Sequence, residues 1–130
     1  MNGWLGDASG AAAPHASAPI AAGELLDARL AKVYFDTSSA VVPADTSARM
    51  ASVLGTLHAD PDVVAHVSGY HDASGDLAAN QELAKQRAQA IQQWLVVNGV
   101  DAERITLEKP VQTEGNGSAD AARRVEVKIE

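Results

Sequence analysis

Apolar and polar residues alternate with a period of two in several short segments, which is the pattern of strands with one buried face. The clearest cases are Val33 with Phe35 near the start of the chain and Val125 with Val127 near its end. The pattern predicts four strands, over residues 32–36, 63–69, 104–108 and 124–129.

Two segments with a helical period separate these strands. Met50 and Val53 belong to an apolar stripe that follows Pro43, and proline suits the first turn of a helix because the N–H that it lacks would be unpaired there. The second segment ends at Asn98-Gly99, which is typical of a left-handed C-terminal cap. We predict helices near residues 43–58 and 77–98.

The predicted order is β-α-β-α-β-β, which favours a single two-layer α/β sandwich with a mixed sheet of about four strands and two main helices packed on it. The 130 residues suit one domain. Residues 1–23 consist mostly of Ala, Gly, Ser and Pro and have no apolar period, so we predict a flexible linker there and a folded domain over residues 24–130.

Composition excludes several classes of function. The formal net charge of −7 repels nucleic acid and anionic lipid, and the sequence has no basic patch to override it. The absence of cysteine excludes disulfides, thiolate zinc sites and thiol nucleophiles. No signal peptide and no membrane span is recognisable, so we expect membrane attachment only through a segment absent from this chain.

Candidate binding chemistry lies where the second predicted strand enters the second helix. Asp72 occupies this junction, and Asn80 and Arg87 are two helical turns apart on one face of the helix. Arg123 shares the inward parity of the last strand, whereas Arg124 has the outward parity.

A carboxylate and two arginines that converge on a cleft suit a ligand with both an ammonium and a carboxylate, because guanidinium binds carboxylate in a bidentate manner. The structural alternative is that Asp72 and Arg87 pair with each other and fix the loop to the helix.

Several motifs resemble those of the OmpA-like peptidoglycan-binding family, which includes peptidoglycan-associated lipoproteins and the periplasmic domain of MotB. They occur in order over about a hundred residues. The matching runs are Val33-Tyr34-Phe35-Asp36-Thr37-Ser38-Ser39-Ala40, Gly69-Tyr70-His71-Asp72-Ala73-Ser74-Gly75, Asn98-Gly99-Val100 and Arg123-Arg124-Val125-Glu126-Val127.

The resemblance implies a non-catalytic, periplasmic anchor that needs no cofactor and binds the peptide stem of peptidoglycan as a monomer or weak homodimer. It implies that Asp72 and Arg87 hold the ammonium and carboxylate of diaminopimelate, with Asn80 and Arg123 as supporting polar residues. It also implies that a loop lines the groove with backbone groups, namely Asp36, Thr37 and Ser38.

Some positions depart from the family pattern. Gly69-Tyr70-His71-Asp72 stands where Gly-His-Thr-Asp is usual, Ala122 replaces the asparagine of Asn-Arg-Arg-Val, and Glu108-Lys109-Pro110 replaces a glycine-rich turn. Such changes beside the charged residues leave open an alternative, in which a degenerate module has lost peptidoglycan binding and serves as a structural or dimerisation domain.

If the chain were an enzyme, the adjacent His71 and Asp72 would be the first candidates for its active site. No His-x-x-x-His or Glu-x-x-His cluster accompanies this pair, so the sequence predicts neither a metal site nor catalysis.

Overall fold

A mixed β-sheet that carries two helices on one face forms the domain. The computed structural model describes residues 27–72, 75–113 and 119–130. The predicted linker over residues 1–23 lies outside these ranges. The elements are β1 (Leu30–Tyr34), α1 (Thr46–Ala59), β2 (Ala65–His71), α2 (Leu77–Val97), β3 (Ile105–Leu107), β4 (Val111–Gln112) and β5 (Arg124–Ile129), with 3₁₀ turns at Ala102–Arg104 and Ala119–Arg123.

The strand order is β1-β5-β2-β3, and the two-residue strand β4 also pairs with β2. β5 is antiparallel to both β1 and β2, whereas β3 and β4 run parallel to β2. The predicted two-layer α/β class is therefore confirmed. The sequence did not predict β4, because its two residues are both exposed and carry no periodicity.

Several predicted boundaries differ from the structure by one to three residues, and two of these differences have a clear physical cause. β2 does not end at Gly69 but continues to His71, where β4 supplies a pairing partner at Gln112. α1 begins at Thr46 and not at Pro43, because the Pro43 carbonyl accepts bonds from both the backbone N–H and the side-chain hydroxyl of Thr46. Pro43 thus belongs to the turn that leads into the helix.

The core lies between the sheet and the helices and is mainly aliphatic. The inward rows of β1, β2 and β5 pack against α1 through Met50 and Leu57 and against α2 through Ile91 and Leu95. Phe35 is the one aromatic side chain in this buried cluster of described residues. No helix in the described ranges is long and apolar enough to cross a membrane.

The backbones of β2 and α2 lie in close contact at Gly69. A Cβ atom at this position would lie 2.2 Å from the Ala84 carbonyl oxygen and 2.8 Å from its carbonyl carbon. Both are backbone atoms, so a rotamer change cannot relieve the clash. Gly69 therefore sets the separation between the central strand and the helix that carries Arg87.

We predict that Gly69→Ala lowers the free energy of unfolding by about 1–3 kcal/mol, because the strand and helix must move apart. Gly55→Ala is the matched control: Gly55 lies within α1, and an added Cβ would meet nothing within 4 Å. The control should raise stability by about 0.5–1 kcal/mol through helix propensity. Urea denaturation of the two variants tests both values, and equal effects would contradict the proposed backbone contact.

Candidate ligand-binding cleft

A polar cleft of about 210 Å³ opens where β2 ends beside α2. It lies between the loop that follows β1 and the 3₁₀ turn that precedes β5. Its lining residues are Thr37, Ser38, His71, Asp72, Asn80, Leu83, Arg87, Ala122 and Arg123. Six of the seven residues named from the sequence thus line one cavity.

Asp36 is the seventh, and its side chain is not part of the lining. The residue is exposed, and it borders a neighbouring depression with Val41 and Pro43. Its contribution is made through the backbone, because the Asp36 carbonyl accepts hydrogen bonds from Arg87 and from the Ser39 N–H.

Arg87 belongs to the buried stripe of α2 and is only 3% exposed. The small side chains of Ala84 and Ala88 leave room for its guanidinium to reach the loop that follows β1. There Nε donates to the Ser39 carbonyl at 2.7 Å and Nη2 donates to the Asp36 carbonyl at 3.0 Å. In the described part of the chain, no acceptor is bonded to Nη1.

These contacts bear on the structural alternative, in which Arg87 pairs with Asp72. Arg87 does fix a loop to a helix, but it does so through the main-chain carbonyls after β1, and neither hydrogen bond goes to Asp72. The guanidinium is held in one orientation while part of it still faces the cleft.

Arg123 brings a second positive charge to the same cleft. Its Nε donates to the Phe35 carbonyl at 2.9 Å, so its side chain lies on the inward face as the strand parity predicted. Burial, followed by the nearby positive charge of Arg123, lowers the pKa of Arg87 to about 10. Arg87 remains protonated at neutral pH, and an anion in the cleft would relieve both penalties.

The carboxylate side of the cleft is formed by the end of β2 and the first turns of α2. Asp72 is half-buried, and the Asn80 side chain donates to its carbonyl at 3.4 Å. Asp76 caps α2 by accepting from the N–H groups of Ala78 and Ala79, which fixes the start of the helix that carries Asn80. Ala73 and Ser74, between the two acidic residues, lie outside the described residues.

Arg124 lies on the opposite face of the sheet. Its guanidinium is 3.8 Å from the centre of the Tyr70 ring, and its Nε donates to Glu126 at 2.8 Å. The predicted outward parity of Arg124 is therefore confirmed.

The sequence did not predict His71 as a site residue. It ends β2 on the inward row and is 4% exposed. Among the described residues, no group of three or more His, Asp or Glu side chains is arranged to hold a metal ion.

We predict that Arg87→Lys lowers the free energy of unfolding by about 1.5–3 kcal/mol, because one ammonium cannot reproduce the two directed bonds to Ser39 and Asp36. Arg29→Lys is the control, since Arg29 is exposed and its described hydrogen bonds use only its backbone. The control should change stability by less than about 0.5 kcal/mol. Chemical denaturation measures both, and an Arg87→Lys protein as stable as the parent would refute the pinning role.

The sequence matches the model of the OmpA family over residues 34–126. The chain therefore belongs to the OmpA family. A curated relative is the probable lipoprotein YiaD of Escherichia coli K12, with 31% identity over 103 residues, covering 75% of this chain and 47% of YiaD. The chain thus spans about half the length of this relative.

Solved structures give the same fold. The OmpA-like domain of FopA1 from Francisella tularensis aligns with a TM-score of 0.66 and 23% identity, covering 78% of this chain and 70% of that one. The peptidoglycan-associated lipoprotein from Burkholderia pseudomallei aligns with a TM-score of 0.63 and 25% identity, covering 77% of this chain and 90% of that one.

Proposed function

We propose that this domain is a non-catalytic cell-wall anchor that binds the diaminopimelate-containing peptide stem of peptidoglycan. The observation that carries the proposal is one cleft that is lined by the carboxylate residue Asp72 together with Arg87 and Arg123. The similarity to a peptidoglycan-associated lipoprotein supports the choice of ligand. By the same similarity, and by that to a probable lipoprotein, we infer a periplasmic location.

Each end of the ligand has a partner in the proposed complex. The carboxylate of diaminopimelate accepts hydrogen bonds from the cleft-facing part of Arg87 and is attracted by the charge of Arg123. The ammonium is bound at Asp72, and Asn80 orients the backbone there. Backbone groups of Thr37 and Ser38 complete the groove for the rest of the stem.

Noncovalent binding is sufficient for this role. Charged hydrogen bonds in a partly desolvated cleft are worth roughly 1.5–3 kcal/mol each, so a few of them give a useful affinity without any chemical step. Any attachment to a membrane would come from a segment absent from this chain. The proposed contact with the wall uses only residues of this domain.

One observation favours the second candidate, a module that no longer binds peptidoglycan. Arg87 is bonded to two loop carbonyls without any ligand, so it would be useful for folding alone. The two candidates differ in the role of Asp72: the anchor needs its negative charge for the ligand ammonium, whereas the structural module does not.

Asp72→Asn therefore separates the two candidates, since it removes the charge and keeps the shape. We expect it to weaken binding of purified wall fragments about tenfold or more, because the ligand ammonium loses its counter-charge. Isothermal calorimetry with the parent and the variant measures the change.

Asp101→Asn is the matched control, because Asp101 is exposed, lies beyond α2 and makes no side-chain cap bond. It should bind like the parent. A folded parent that shows no binding at millimolar fragment would refute the anchor and leave the structural module.

The choice of diaminopimelate is tested by comparing two stems. Diaminopimelate is a lysine with an additional carboxylate on the carbon that carries the side-chain ammonium, so a lysine-containing stem lacks the group assigned to Arg87. We expect the lysine stem to bind about tenfold more weakly in the same calorimetric titration. Equal affinities would show that the two arginines do not bind that carboxylate.

A further inference from the structure

His71 is a buried polar group in the cleft that the proposed binding mode does not yet use. It is the last inward residue of β2, after Ala65, Val67 and Gly69. Its backbone is fixed by β4, since it pairs with Gln112 and its carbonyl accepts from the Thr113 N–H at 2.8 Å. The imidazole is therefore held in the cleft on a rigid strand.

The hydrogen bonding of His71 defines its tautomer. Nδ1 lies 3.0 Å from the Asp72 carbonyl oxygen, which can only accept, so Nδ1 carries the hydrogen. In the neutral imidazole, Nε2 then has a free lone pair. No hydrogen bond to Nε2 is formed by the described residues.

Charged groups of both signs surround His71. Asp72 follows it directly after β2, Arg87 faces the cleft from α2, and Arg123 faces it from the turn before β5. Asn80 is the uncharged polar neighbour. A proton on Nε2 would replace the lone pair by a third positive charge in the cleft.

We propose that His71 Nε2 accepts a hydrogen bond from the ligand ammonium beside Asp72 and thereby makes wall binding depend on pH. This inference rests on the proposed function and adds a binding residue to the same site. The ligand class is a zwitterion whose ammonium lies at the end of β2 and whose carboxylate lies at the two arginines. Because a protonated Nε2 has no lone pair to accept a hydrogen bond, protonation of His71 should weaken binding of the ligand.

Calorimetry with diaminopimelate-containing wall fragments between pH 5 and 8 tests whether the affinity falls as the pH is lowered. The parent should lose affinity about tenfold from pH 8 to pH 5, because histidine gains its charge in this range and an acceptor becomes a donor. His71→Thr, which restores the residue usual in the family, should bind more weakly than the parent at pH 8, because its shorter side chain does not reach the position of Nε2, and its affinity should change much less between pH 8 and pH 5.

The variant retains His66, Asp72 and every titrating group of the ligand, so the difference between the two profiles isolates His71. His71→Gln, which keeps an acceptor without titrating, replaces the threonine variant if circular dichroism shows that the latter is unfolded. Parallel profiles, or tighter binding of the parent at low pH, would overturn the role of His71 and leave the anchor intact.

A measurement without ligand distinguishes a failure of the His71 inference from a failure of the proposed function. Nitrogen NMR of the unliganded parent should show His71 with the hydrogen on Nδ1 at pH 8, and a hydrogen on Nε2 would overturn the inference whatever the binding data. Failure of the parent to bind at every pH would overturn the proposed function, and the role of His71 with it.

Discussion

The contact between the backbones of β2 and α2 at Gly69 is the constraint on which the cleft depends. Only a residue without a side chain lets the strand approach the Ala84 carbonyl so closely. One turn further along α2, this approach brings Arg87 level with the end of the sheet. His71 follows Gly69 on the same inward row of β2, so this contact helps to position two of the residues that line the cleft, His71 and Arg87.

Arg87 illustrates how one side chain can stabilise the fold and, in the proposed complex, also bind the ligand. Burial of a guanidinium is costly, and the two carbonyls of Ser39 and Asp36 offset part of that cost. Because neither carbonyl carries a full negative charge, the site keeps its positive charge. The loop is thereby fixed before a ligand arrives, which lowers the entropy that binding must overcome.

Sequence patterns predicted the main elements because burial of one face imposes a period that residue types reveal. β4 escaped prediction because its pairing to β2 depends on backbone groups, which every residue possesses. The predicted end of β2 at Gly69 was wrong for a related reason. A glycine can either end a strand or permit a close contact within it, and the sequence does not show that α2 packs against Gly69.

The candidate site was predictable as a set of charged residues but not as a network. Strand parity correctly assigned Arg123 inward and Arg124 outward. The partners of Arg87 could not be predicted, since they are main-chain carbonyls about fifty positions away. The same limit applies to His71, whose burial follows from the continuation of β2 beyond Gly69.

Charge is distributed differently over the two faces of the sheet. On the outward face, along a broader groove of about 680 Å³, basic side chains lie beside acidic ones: Glu126 accepts a hydrogen bond from Arg124, and Glu108 lies 2.8 Å from the His66 ring nitrogen. In the cleft, by contrast, the guanidinium of Arg87 donates to two neutral main-chain carbonyls.

This contrast bears on which ligands the cleft can select. In a chain with a net charge of −7, a polyanion is repelled at long range by the surface as a whole, whereas a small zwitterion is not. Once inside, a zwitterion finds Asp72 as well as the arginines, and a simple anion would face that carboxylate. The net charge of the chain thus repels large anions at long range, and the charges in the cleft then favour a ligand that carries both a positive and a negative charge.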